Sequence, residues 1–263
     1  CVNTSTIIHI HPNGSGTIEE ILVIRKDIAT GLDHMDERTK KFGKNGKSKS
    51  PGIAKMMMNR KAIEKRAEKM GEGVRLKSLQ SISEKDGVGY KAIYSFKDIS
   101  KIKLEQNPGN KLPGTAGKKG GRVDENIRFG FKKGKVSELI IKRPIKAKSA
   151  ITKTRKKTKK DKKIDKMQFD VLKKVFEGFR MRIVVKVKGR LIETNATHRK
   201  KNTIILVNLD FEKMLKKPEI LRQISDKDAK SVENIKDQLS KIPGVQIEVK
   251  EKVVVKFNDA KTS

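Results

Sequence analysis

The sequence predicts an α+β fold: antiparallel sheets with helices packed on one face. Three observations predict it. The first hundred residues read strand, strand, helix, strand, strand, an order that closes into an antiparallel sheet beneath one helix. The rest of the chain is strand-rich with shorter helical patterns. A Pro/Gly/Lys-rich stretch, 105–126, divides the two parts. The expected organisation is an N-terminal ββαββ lobe over 1–104, a linker over 105–126, and a C-terminal α+β lobe over 127–263 with a basic insert at 144–163. At 263 residues the chain is long enough for one or two domains and for a core that needs no disulfide or metal.

Each element has a local reason. Alternation with Ile over Thr6 to His11 is a strand. Pro12-Asn13-Gly14-Ser15-Gly16 is a turn in which Gly14 and Gly16 are expected at or beside positive φ. Thr17 to Arg25 returns as the partner strand. Lys40 to Lys49 is a Gly/Lys/Ser loop. Ser50-Pro51 offers an N-cap followed by Pro at the first helical position. Ile53, Met56, Met57, Ile63, Ala67 and Met70 then recur at helical spacing up to Gly71, which reads two of Met56, Met57 and Met58 as core. Val74, Leu76 and Ile82 mark a strand that turns at Lys85-Asp86-Gly87. Tyr90, Ala92, Tyr94 and Phe96 share one face of the next. Ile127 to Phe131 and Lys135 to Arg143 form a hairpin around Lys133-Gly134. Ile164, Met167, Val171, Leu172, Val175, Phe176 and Phe179 line one helical face, after which Met181, Ile183, Val185 and Val187 alternate. Gly189 to Thr194, Thr203 to Leu209 and Val245 to Phe257 supply further strands. Phe211 to Leu215, Pro218 to Ile224 and Asp228 to Lys241 supply short helices.

Composition bounds the function. Lys+Arg 64 against Asp+Glu 31 gives a net charge of +33, and charged residues are 36% of the chain, well above the usual quarter. No apolar run approaches the ~20 residues of a membrane-spanning helix. Such a chain meets anions: lipid headgroups, cell-wall polymers, acidic proteins or nucleic acid. A pI near 10.2 is the footprint of a nucleic-acid binder. Aromatics, however, are only 4%, leaving little for base stacking, and no RNP, KH, zinc-finger or helix-turn-helix pattern is present.

Catalytic patterns are missing. Gly14-Ser15-Gly16 leads into a strand, so no helix N-terminus stands behind it as a phosphate cradle requires. Neither G-x-S-x-G, H-E-x-x-H nor a paired-carboxylate setting occurs. His9 and His11, two apart on one strand face, are a workable Zn or Cu pair, but no sequence signal brings a third ligand. The expectation is a non-enzymatic protein with no metal and no cofactor.

Cys1 is the sole cysteine, so no disulfide can form within the chain. A cysteine here is expected to carry a diacylglyceryl thioether, with an acylated amine supplying the second anchor that stable membrane attachment needs. Val2 in place of Asp favours the outer membrane under enteric-type sorting. Because alternation starts near Thr6, the tether is about five residues, at most ~17 Å at ~3.4 Å each.

Cys1 followed directly by a strand, the turn Asn13-Gly14-Ser15-Gly16-Thr17, and the strand Ile18 to Ile24 make one signature. A second is the basic-hydrophobic strand Arg180 to Lys188, then Gly189, Glu193 and Thr194-Asn195-Ala196, followed by Thr203 to Leu209 and Asp210-Phe211. In these features the chain resembles a broad group of uncharacterised bacterial lipoproteins. The resemblance implies an exported, lipid-anchored α+β body, and the role expected of the chain is a non-enzymatic accessory or structural lipoprotein of the cell envelope. It implies no activity, and the lysine excess here goes beyond that group's pattern.

The strongest basic run is Lys153 to Lys163. Lys153, Arg155, Lys156, Lys157, Lys159, Lys160, Lys162 and Lys163 are opposed only by Asp161. Nothing in it can enter a core, so it is expected to be exposed. Beside a membrane or an envelope complex it would contribute attraction to an anionic surface, about 1 kcal/mol per cation near anionic lipid.

Overall fold

The structure is a computed structural model that describes residues 2–30, 57–105, 126–144, 178–216, 242 and 244–259. Within them the fold is strand-rich. Strands β1 (Val2–Ile10) and β2 (Gly16–Arg25) are followed by helix α1 (Arg60–Met70), then β3 (Arg75–Ser83), β4 (Gly87–Phe96), a 3-10 turn (Ile99–Lys101) and β5 (Lys103–Glu105). Next come β6 (Asn126–Lys132), β7 (Ser137–Lys142), β8 (Arg180–Val187), β9 (Arg190–Thr194), β10 (Arg199–Lys200) and β11 (Thr203–Asp210). Helix α2 (Phe211–Leu215), β12 (Val245–Ile247) and β13 (Lys252–Asn258) complete the order. The expected β-β-α-β-β succession is present, but the architecture is mostly β, so α+β holds only loosely.

The strands form two sheets. The larger has the order β10-β11-β8-β1-β2-β4-β3, with β12 also on β11, and the smaller has the order β5-β6-β7-β13-β9. Both bury alternate residues against one shared cluster: Ile8, Ile18, Leu22, Tyr94, Val185 and Ile204 from the larger sheet, Ile127, Leu139, Val255 and Phe257 from the smaller, and Ile63, Ala67 and Met70 from α1. The period-2 pattern of each strand is the cause, since one face must leave water.

This arrangement corrects the two-lobe reading divided at 105–126. Strand β1 pairs in parallel with β8, from Asn3↔Arg180 to Ile10↔Val187. The ladder places Met181, Ile183, Val185 and Val187 on the face of Thr4, Thr6, Ile8 and Ile10. The N-terminal strands and the C-terminal strands therefore share one sheet and one core. The same pair departs from the antiparallel expectation, and is the parallel member of an otherwise antiparallel set.

Three local expectations also change. The residues read as a tether, Val2 to Ser5, are already strand, with Val2 paired to Ile24; Thr4 and Thr6 are buried because they share the core-facing side of β1 with Ile8 and Ile10. Gly14 has φ +86°, as the turn requires, but Gly16 is a glycine for a different reason: a Cβ there would lie 1.9 Å from the His9 carbonyl oxygen. Helix α1 starts at Arg60, capped by Asn59, whose side chain accepts from the Ala62 amide at 3.2 Å, and closes at Gly71 as expected. Met57 is buried and Met58 packs against the core. The Ser50-Pro51 cap and Met56, the amphipathic pattern from Ile164 to Phe176, and the helices at 218–224 and 228–241 lie outside the described residues.

Candidate functional site

Four strand termini meet at one end of the large sheet. Val2 opens β1 there, opposite Ile24 of β2. Arg180 opens β8 beside Asn3, and Asp210 closes β11 beside Arg180. Arg180 reaches Asp210 at 3.6 Å and Glu212 at 3.5 Å, and the rings of Phe179 and Phe211 meet edge to face at 6.4 Å. At this end β2 runs on toward 31–56, 145–177 leads from β7 of the small sheet into β8, and 217–241 lies between α2 and β12. The first two hold 7 Lys/Arg against 3 Asp/Glu and 13 against 4.

A second basic feature lies on the outer face of the small sheet. Lys103 stands opposite Arg128, Arg128 opposite Lys142, and Lys142 opposite Lys252. All four are exposed, whereas Leu104, Ile127, Ile141 and Val253 beside them are buried. Strands lie about 4.8 Å apart, so the four cations form a line across β5, β6, β7 and β13. The next outward row is Gly130, Ile140 and Val254. Beyond it Lys132 faces Glu138, Glu138 faces Lys256, and Lys256 binds Glu193 at 2.9 Å.

Among the described residues, two carboxylates are buried. On the core face Glu20 accepts from Tyr90 Oη at 2.6 Å and from Arg66 of α1 at 2.7 Å; Arg66 also contacts the Tyr90 hydroxyl. Burial, reinforced by Glu20, pushes the Tyr90 phenol up. Glu248 accepts from the Thr197 amide at 2.6 Å, the Thr197 hydroxyl at 2.8 Å, and the amides of Val249 and Lys250 at 2.9 and 3.0 Å. Burial pushes its carboxyl up, but the amides of Lys250 and Thr197, the Thr197 hydroxyl and the Val249 amide outweigh it and hold the pKa below the ordinary glutamate value.

His9 lies on the face of the large sheet away from the core, opposite Lys186. Burial, then Lys188 and Lys186, push its imidazole below its usual value. Among the described residues, no three of His, Cys, Asp and Glu come together as a metal site, and no helix is long and apolar enough to cross a membrane, which says nothing of a β-barrel.

Cys1 and the run Lys153, Arg155, Lys156, Lys157, Lys159, Lys160, Lys162 and Lys163 lie outside the described residues. What the structure adds is the position of Val2, next to Cys1, and of the two flanks of the stretch that holds the run: β7 of the small sheet before it and Arg180, beside Asn3, after it. Sequence reasoning missed the row Lys103–Arg128–Lys142–Lys252, because its members are up to 149 positions apart in the numbering and meet only through strand register. It also missed the Glu20–Arg66–Tyr90 cluster; a Glu on the core face of a β-strand was the available signal.

No family model matches the sequence, and no curated protein matches it. Among solved structures, the folded domain of the LppM protein of Mycobacterium tuberculosis, determined by NMR, aligns over 99% of this chain and 91% of its own with 9% identity and a TM-score of 0.32. A superposition at that score carries no argument about fold or role.

Proposed function

We propose that this chain is a lipid-anchored, non-enzymatic accessory protein of the bacterial cell envelope, fixed to a membrane by acyl chains on Cys1 and drawn to an anionic partner surface by the run Lys153 to Lys163. The observation that carries this reading is the convergence at one sheet end. The residue after Cys1 is already the first residue of β1, and the segment containing the run re-enters the fold at Arg180, beside Asn3. A lipid on Cys1 would therefore hold that sheet end at the headgroups, where a polybasic segment acts within a Debye length of about 8–10 Å. The resemblance to envelope lipoproteins supports the same reading, and the outer membrane is the side that Val2 favours.

Mass spectrometry of protein isolated from its native membrane tests the anchor: a diacylglyceryl thioether on Cys1 is expected, and Cys1→Ala should release the chain to the soluble fraction. An unmodified Cys1 in that material refutes it. Changing Lys156, Lys157, Lys159 and Lys160 to Gln should leave thermal stability unchanged, weaken binding to anionic vesicles and flatten its salt dependence. Binding that the four changes leave intact at low salt removes the run from the reading. Preferential capture of single-stranded RNA or DNA over vesicles would favour a nucleic-acid binder instead.

A further inference from the structure

We infer that the free edge of β3 is an interface for a second copy of this chain, the two β3 strands pairing antiparallel about a two-fold axis at Ser81. Neither Cys1 nor the Lys153 to Lys163 run takes part.

The sheets blunt their other edges. Among the described strands, β10, β12, β5 and β9 have two, three, three and five residues. Strand β10 is Arg199-Lys200, β5 carries Lys103 and Glu105, and β9 carries Arg190, Glu193 and a register shift against β13. Short, charged or bulged edges resist the addition of a further strand. Strand β3, which ends the large sheet opposite β10, is nine residues long. Its register with β4 shifts at Lys77, between Leu76 and Ser78. Beyond that point Ser78-Leu79-Gln80-Ser81-Ile82-Ser83 has no charge, no Pro and no Gly, in a chain that is 36% charged. Gln80, Ser81 and Ser83 are exposed.

The hairpin decides which backbone groups on this edge are free. The Glu84 amide donates to the Gly87 carbonyl at 2.9 Å. Alternate residues of an antiparallel ladder turn toward the neighbouring strand, so Ile82, Gln80 and Ser78, opposite Gly89, Lys91 and Ile93, are the ones bonded to β4. Leu79, Ser81 and Ser83 turn their amides and carbonyls outward, and the three are symmetric about Ser81. An antiparallel copy centred there sets Ser81 opposite Ser81 and Leu79 opposite Ser83, so every outward donor and acceptor of the stretch gains a partner. Centring on Gln80 instead would leave Ser83 facing the irregularity at Lys77. The Ser81 register also keeps the core sides of the two sheets together and places half-buried Ile82 against Gln80 of the second copy.

The charges agree with an antiparallel copy. Arg75 and Lys77, both exposed and in no ion pair, stand at one end of the edge. Glu84 and Asp86, exposed on either side of Lys85, stand at the other, where Lys26 Nζ reaches the Lys85 carbonyl at 3.0 Å. Antiparallel pairing brings each cationic end beside the other copy's two carboxylates, whereas parallel pairing would stack Arg75 and Lys77 on themselves. Because the far edge of the sheet is the two charged residues of β10, the pairing closes at two copies and does not propagate.

The test uses the full chain with Cys1→Ala, so that an added cysteine is the sole thiol. Two chains of net charge +33 repel one another, so the work is done at about 1 M salt, where the Debye length falls to about 3 Å. Ser81→Cys sets two Cα atoms about 5.5 Å apart across the axis, inside the ~4.4–6.8 Å that a disulfide spans. Ser83→Cys sets them about four residues out of line, ~13 Å along the strands. In a glutathione redox buffer Ser81→Cys should become a disulfide-linked dimer while Ser83→Cys stays monomeric. Sedimentation equilibrium of the Cys1→Ala parent should show a reversible monomer–dimer equilibrium and no larger species. Ser81→Pro should be monomeric at the same concentrations with the parent's far-UV spectrum, because the Ser81 amide is not bonded to β4. The cysteine pair decides even where the proline perturbs the strand, since both cysteines replace exposed serines. Equal crosslinking at the two positions, a parent that stays monomeric, or growth beyond the dimer would overturn the interface.

Discussion

Glu20 and Glu248 are each about 1% exposed, and the fold neutralises them by opposite means. Glu20 sits in the middle of β2 and is met by side chains from two other elements, Arg66 from α1 and Tyr90 from β4. Glu248 sits just beyond β12 and is met chiefly by backbone amides of its own loop, 249–250, and by Thr197 across from it. The first carboxylate joins a helix to the large sheet through atoms that substitution can remove. The second clamps two loops together through atoms that survive almost any substitution. The fragile part of the molecule therefore lies beneath α1 rather than at the 195–198 and 248–250 loops.

The largest effect tests that contrast directly. Arg66→Met keeps the helical side chain's bulk but takes away the cation facing a buried carboxylate, and breaking such a pair costs about 3–5 kcal/mol. Urea denaturation should show that loss, with the far-UV spectrum of the folded state unchanged. A loss below about 1 kcal/mol would mean the cluster contributes little and the contrast fails. Next, Tyr90→Phe deletes one hydrogen bond to a charged acceptor and should cost about 1.5–3 kcal/mol in the same assay. Thr197→Val is expected to be milder, about 1 kcal/mol, because three amides still face Glu248. Should Thr197→Val prove as damaging as Arg66→Met, side chains and not backbone would be holding Glu248.

The smallest effect is a pH dependence. The folded-state pKa of Glu248 is depressed, so below the unfolded value of about 4.3 the unfolded chain takes up the proton first. Its contribution is complete above that pH and disappears as pH falls through the folded pKa. Melting temperatures recorded downward from about pH 5 should fall more steeply in the parent than in Thr197→Val, where the loss of one donor brings the folded pKa closer to the unfolded one. Identical acid limbs in the two proteins would assign the acid sensitivity elsewhere.

Much of the fold is legible in the sequence. The Asn13 to Gly16 turn, the alternation in β2, β4, β6, β7, β8 and β11, the closure of α1 at Gly71 and the short helix after Asp210 follow from local rules of period, φ and capping that act over a few residues. Gly16 is recognisable as a turn-flanking glycine, but its constraint is a carbonyl on the neighbouring strand and not its own φ, and nothing local carries that signal. The anion-binding reading starts from composition. Charge counts report how basic a chain is, but they do not say where its cations stand opposite one another.

Residue order dictates which segments become strands, which face of each leaves water, and that the surface left over is strongly basic. Those properties depend on residues near one another in the chain. Only the packing of the whole molecule sets β1 in parallel beside β8, joining the two expected lobes into one sheet. It likewise brings Arg66 over Glu20 and aligns Lys103, Arg128, Lys142 and Lys252. Each of these depends on contacts between elements far apart in the sequence. The hydrophobic period of 2 fixes which face a residue occupies, yet it is the same for every strand and so leaves the choice of neighbour to the packing of the whole core.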